Sequence, residues 1–205
     1  MHMIEERHNS GEESSASLES AGGQKYSPRS FFWEIIKFAV IAFIVVVPIR
    51  IFIASPFIVS GSSMDPSFAT GNYLVIDEIS YRLEEPERGD VVVFKYPKDT
   101  SKFFIKRVIG LPGETVEIRD GKVFIINETS PGGFSLNESY IEFPKADNSI
   151  ITLSDTEYFV MGDNREASSD SRIWGPLDKT FITGRVLLRL FPVSELGLFP
   201  EKALY

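Results

Sequence analysis

Hydrophobic and polar positions divide the chain into three stretches of different character. Residues 1–30 are rich in Ser, Glu and Gly and hold few apolar side chains. Such a segment cannot bury enough apolar surface to offset its conformational entropy, so it predicts a disordered tail. Residues 31–54 are apolar on every face of a helix, where a surface helix would keep one polar side. At about 1.5 Å per residue this length spans roughly 30 Å of hydrocarbon, which predicts a transmembrane anchor. Trp33 stands at one end, and Lys37 and Arg50 lie where their charges reach an interface. Pro48 falls in the outer turn, where a membrane helix tolerates it.

Beyond residue 54 the period changes. Runs of β-branched and aromatic residues at 73–76, 90–96, 103–109, 157–161 and 183–191 are separated by Gly, Pro and Asp clusters. They predict short strands. Residues 115–119 and 122–126 flank Asp120-Gly121, a strong hairpin signal. Residues 127–155 are polar and read as a small loop-rich excursion. No long helical period follows the anchor. The expected fold is mostly β, about a dozen short strands at sandwich or barrel spacing, over residues 55–205.

The flanks of the apolar run set an orientation. Lys25, Arg29 and Lys37 precede its centre, and Arg50 alone follows closely. Basic residues favour the cytoplasmic side, so the tail is expected inside and the β domain outside. Phe52 and Ile53 stand before Ala54, and Pro56 follows, behind a long acidic tail. That is not a signal-peptide cleavage site, so the run is expected to be retained.

Composition narrows the chemistry. A net charge of -8 argues against a nucleic-acid binder. The chain has no cysteine, which excludes disulfides, cysteine nucleophiles and Cys-based zinc sites. Its two histidines, His2 and His8, both lie in the tail. A hydrolase built on the folded part therefore has no histidine base and no Ser-His-Asp triad. A serine nucleophile would need lysine, a carboxylate or a terminal amine.

Three polar stretches interrupt the strands: residues 60–66, the Lys106-Arg107 end of a strand, and residues 162–172. The last fails as a calcium loop, because Arg165 stands where an oxygen ligand is needed, and no metal site is expected. By residue type Lys95, Lys98, Lys102 and Lys106 are equal candidates for a base.

The segments Ser60-Gly61-Ser62-Ser63-Met64-Asp65-Pro66, Arg88-Gly89-Asp90-Val91-Val92-Val93-Phe94, Lys106-Arg107-Val108-Ile109-Gly110-Leu111-Pro112-Gly113-Glu114 and Gly162-Asp163-Asn164-Arg165 with Ser168-Ser169-Asp170-Ser171-Arg172 stand in that order behind the anchor. Together they resemble the four signature boxes of type I bacterial signal peptidases. The resemblance implies an antiparallel β-fold shared with self-cleaving LexA-type repressors. It implies Ser63 as nucleophile, Lys106 as general base, Ser168 bonded to that lysine, and Asp170 with Arg172 as a bracing ion pair. It implies an oxyanion hole at the Ser63 backbone N–H. Some members add a serine hydroxyl two residues before the nucleophile, and here that position is Gly61.

By the same resemblance Phe57, Val59, Phe68, Phe104 and Ile105 line shallow apolar pockets that admit small side chains, as in Ala-x-Ala cleavage sites. Phe52, Phe57 and Phe68 are candidates to dip into the outer leaflet. The implied enzyme is a cofactor-free serine endopeptidase of the bacterial plasma membrane. Its partners would be secretory preproteins, the lipid bilayer and the translocation machinery. A specialised maturation peptidase, a LexA-type self-cleaving switch and a membrane-tethered β binding domain are the alternatives. The anchor and the lack of a DNA-binding region weigh against the switch.

Overall fold

The structure is a computed structural model and describes residues 28–52, 54–200, 202–203 and 205. The tail predicted for residues 1–30 lies outside the described residues, apart from the first turn of a helix. That helix, α1, is Pro28–Phe52. Side chains are described for residues 31–46 of it, and its large apolar ones, such as Phe38 and Phe43, are exposed. Among the described residues no helix is long and apolar enough to cross a membrane. The chain separates into two compact units between Ala42 and Phe43, and the second carries the β structure.

In chain order the second unit forms strands β1 (Ala54–Ile58), β2 (Tyr73–Asp77), β3 (Val91–Tyr96), β4 (Asp99–Gly110), β5 (Thr115–Arg119) and β6 (Lys122–Asn127). β7 (Ser130–Ser135), β8 (Ser149–Thr152) and β9 (Glu157–Met161) follow. A one-turn helix, α2 (Ser171–Trp174), leads to β10 (Leu177–Asp178), β11 (Ile182–Phe191) and β12 (Gly197–Leu198). The larger sheet has the order β1-β2-β11-β3-β4-β9-β10, with β12 on β11, and the smaller has the order β7-β6-β5-β8. Neighbouring strands are antiparallel. The mostly β, antiparallel expectation therefore holds. The stretch expected as a loop-rich excursion contributes β7 and β8 to the smaller sheet.

In the smaller sheet burial follows the side-chain alternation of β5 and β6. Val116 and Ile118 on β5 and Val123 and Ile125 on β6 point inward with Ile109, Phe159 and Met161. The Asp120-Gly121 turn between these strands has φ of 50° and 79°. Two positive φ values make the tight hairpin turn whose twist matches the strands. β3 is a continuous apolar run because both its faces are covered. Val91 and Val93 pack with Val59, Met64, Phe68 and Leu74, while Val92 and Phe94 pack with Val108, Tyr158 and Val160. β3 holds β4 in register, pairing Val92 with Lys106. β1 and β4 run in the same direction, each separated from the other by antiparallel neighbours. Both point toward the same polar site.

Candidate active site

The first part of the site is the loop leaving β1. Val59 N–H donates to the Asn72 carbonyl at 3.0 Å, and Gly71 N–H returns to the Val59 carbonyl at 2.9 Å. Within this neck Gly61 has φ of 104°, a conformation that glycine adopts without strain. The Thr70 hydroxyl accepts from Gly61 N–H at 3.0 Å and donates to its carbonyl at 3.1 Å. Past Ser63 the chain turns, with Asp65 N–H on the Ser62 carbonyl and Phe68 N–H on the Met64 carbonyl. Met64 is fully buried in the core with Phe68 and Leu74. The half-buried Ser63 is therefore fixed by the buried residue that follows it.

β4 delivers the second part. Lys106 is 3% exposed, and its Nζ lies 2.7 Å from Ser63 Oγ and 2.8 Å from the Ile105 carbonyl. Burial disfavours the ammonium and lowers the Lys106 pKa from 10.5 to about 8, against the opposing pull of Asp170 and Asp163. The short contact suits both protonation states. The ammonium donates to both oxygens. A neutral amine still donates to the Ile105 carbonyl and turns its lone pair to the Ser63 hydroxyl. Lys95, Lys98 and Lys102, equal to Lys106 by residue type, do not reach the serine: Lys95 is exposed, and Lys102 pairs with Asp99 at 2.9 Å.

The third part is the loop after β9. A Cβ on Gly162 would lie 2.3 Å from the Ser63 carbonyl oxygen and 2.3 Å from Ser168 Oγ. Only glycine permits this approach. Asn164 N–H donates to the Ser63 carbonyl at 3.1 Å, tying the two loops together. Asp170 is fully buried and accepts from Gly162 N–H at 3.0 Å and from Arg172 Nε and Nη2, each at 2.8 Å. Burial pushes the Asp170 carboxyl up, but the hydrogen bond and charge of Arg172 outweigh it and hold the pKa below its ordinary value. Ser168 Oγ is buried beside these groups. It lies close enough to Asp170 to favour the ionised carboxylate, yet it makes no aligned hydrogen bond among the described residues. The bond to Lys106 implied for it is not formed.

Sequence reasoning missed the layer beneath. Arg107 is fully buried and binds Asp163 through Nε at 2.9 Å and Nη2 at 2.5 Å. Its Nη1 reaches the Gly89 carbonyl, and its guanidinium lies 4.3 Å from the Tyr140 ring centroid. Arg165 pairs with Glu138, and Arg172 pairs with Asp147 at 2.5 Å. The adjacency of Lys106 and Arg107 was the available signal, since alternation sends one side chain away from the other. The partners, 25 to 56 residues distant, left no local trace.

A cleft of about 490 Å³ runs from the dyad along β1 and β4. Phe57, Val59, Phe104 and Ile105 line it, together with Phe103, Ala167 and Ser169. Phe68 does not. It is fully buried under Met64, with the Arg189 guanidinium 4.7 Å from its ring centroid, so it can neither contact a substrate nor enter a leaflet. Phe57 is half-buried. The side chain of Phe52 lies outside the described residues. Among the described residues no cluster of acidic or histidine side chains could hold a metal ion.

The sequence matches the family described as signal peptidase, peptidase S26, over residues 32–191. It is 39% identical over 188 residues to a probable signal peptidase I-2 of Synechocystis, covering 88% of this chain and 83% of that one. It is 32% identical over 174 residues to signal peptidase IB of Staphylococcus aureus, covering 76% and 87%. A crystal structure of a signal peptidase I from Enterococcus faecalis aligns with 50% of this chain and 97% of its own, at 31% identity and a TM-score of 0.44.

Proposed function

Because the chain belongs to the signal peptidase family, peptidase S26, we propose that it removes N-terminal signal peptides from exported preproteins through a Ser63/Lys106 dyad and an acyl-enzyme. The observation that carries this reading is the 2.7 Å contact between Ser63 Oγ and a lysine amine that is 3% exposed. Neutral Lys106 takes the hydroxyl proton as Ser63 Oγ attacks the scissile carbonyl carbon. The resulting oxyanion is stabilised by the Ser63 backbone N–H. The Lys106 ammonium then gives its proton to the departing amine, leaving an ester on Ser63. Water attacks that ester while Lys106 takes its proton, and the proton returns to Ser63 Oγ as the acid leaves. No histidine is needed at any step.

An extended substrate lies in the cleft between the residue 57–59 edge and the residue 103–105 edge, bonding to backbone by β-addition. Apolar walls from Val59, Phe104 and Ile105 restrict the side chains before the cut to small ones. Residues 31–54 anchor the enzyme in the plasma membrane, with the tail cytoplasmic and the β domain on the side where preproteins emerge from the translocation machinery. The test is cleavage of an Ala-x-Ala preprotein in detergent by wild type, Ser63→Ala and Lys106→Ala. Wild type cleaves after the small residue and both variants lose cleavage. Full activity in either variant would eliminate the dyad.

A further inference from the structure

A second cleft, of about 510 Å³, is lined by Phe57 and Phe103 as well as by Glu78, Arg82, Lys95 and Thr183. The two phenylalanines also line the dyad cleft. Their rings meet edge-on, with centroids 5.4 Å apart, and form a partition between the two clefts. The chemistry changes across it. On the dyad side the walls are mainly apolar. On the far side stand two cations, Arg82 and Lys95, and one carboxylate, Glu78. Among the described residues none of these three forms an ion pair. In a chain of net charge -8 this cleft has a local excess of positive charge.

We propose that this second cleft is an upstream substrate subsite, which selects an acidic side chain several residues before the scissile bond. The proposal rests on the endopeptidase reading above. The occupant follows from continuity: a strand laid along β1 and β4 from the dyad must pass the Phe57–Phe103 partition. Its direction follows from connectivity. β1 begins at Ala54 and runs toward the dyad, so the partition end of the cleft is the end at which the chain enters the β structure from residues 31–54. A signal peptide leaves its apolar segment in the membrane, so its upstream residues lie at that end. At about 3.3 Å per residue, the side chain meeting Arg82 and Lys95 is roughly four to seven residues before the cut.

The experiment uses the full chain in non-ionic detergent, with preproteins that differ only in carrying Asp, Ala or Lys at each of those positions. The readout is the ratio of kcat/KM for the Asp and Lys substrates. Exposed ion pairs are individually weak, so wild type is expected to favour Asp by about five- to tenfold at one position. Lys95→Glu makes the local charge negative, and the preference should reverse at that same position. Lys95 is exposed on β3, so the variant should keep the wild-type thermal midpoint. An equal ratio in wild type and variant, with cleavage of all substrates intact, overturns the subsite. So does a Lys95→Glu defect that appears only in vesicles containing anionic lipid, which would assign the cations to lipid headgroups. Failure of wild type to cleave any of the preproteins would instead refute the endopeptidase reading.

Discussion

Replacing Lys106 with Met tests the physical origin of its basicity separately from catalysis. An unfolded lysine holds its proton up to about pH 10.5, whereas the buried Lys106 loses it near pH 8. At about 1.4 kcal/mol for each pH unit, folding carries a penalty of roughly 3 kcal/mol wherever both states are protonated. Between pH 8 and 10.5 the unfolded chain binds more protons than the folded one. Stability must therefore rise with pH through that window, and the penalty is constant below it. Lys106→Met removes the titration. Relative to the variant, the wild type should gain about 2 kcal/mol between pH 7 and pH 9.5. Urea unfolding of the full chain in non-ionic detergent, followed by tryptophan fluorescence, measures this difference. The comparison across pH matters more than either absolute value, because Met also leaves the Ile105 carbonyl without its donor. A wild type and variant that differ by the same amount at both pH values would show that burial does not displace the lysine pKa.

Four further predictions rest on the charges near the dyad and on two closely packed glycines, one beside the dyad and one in the β5–β6 turn. The wild-type kcat/KM should rise with pH and level off above about 8, as the amine becomes neutral. Because Asp163 favours the Lys106 ammonium, Asp163→Asn should move that limb to lower pH. It should also cost about 3–5 kcal/mol of stability by removing the carboxylate that binds Nε and Nη2 of buried Arg107, measured by urea unfolding. Gly162→Ala should lower kcat/KM by about a hundredfold, since the new Cβ must displace the Ser63 carbonyl or Ser168. Gly121→Ala, whose Cβ would lie 2.4 Å from the Lys145 carbonyl oxygen, should cost about 1–3 kcal/mol and leave kcat/KM unchanged.

Much of this was legible because it is written locally. The β-branched runs marked most strands of the larger sheet, and Asp120-Gly121 marked a hairpin whose turn has the two positive φ values that such a pair favours. The missing histidines forced any serine chemistry onto another base. Residue type alone did not distinguish Lys106 from Lys95, Lys98 and Lys102, because the distinction is burial, which depends on Ser63 and the residue 162–170 loop arriving from elsewhere. Phe68 was misread for a related reason. The family resemblance implied a pocket wall there, but the turn folds inward and packs the ring in the core with Met64. β7 was missed because it is carried by glycine and polar residues, so backbone pairing to β6 rather than side-chain pattern makes it a strand. β8 was missed because Ser149–Thr152 is a four-residue run inside a polar stretch, too short to stand out before its pairing to β5 is seen.

The smaller sheet and the segment that crosses it bear on how far such an enzyme can be trimmed. Neither touches the dyad, so residues 115–152 look dispensable to anyone seeking a minimal version. Yet Glu138 is the carboxylate paired with Arg165, and Asp147 is a second carboxylate on Arg172 beside Asp170; both arginines lie in or at the end of the loop that clamps Ser63. Deleting the segment would leave two cations under the catalytic loop without those partners. A shortened design must therefore supply replacement acids at those positions; Arg165 can instead be exchanged for an apolar residue of matching volume, but Arg172 must stay because buried Asp170 depends on it.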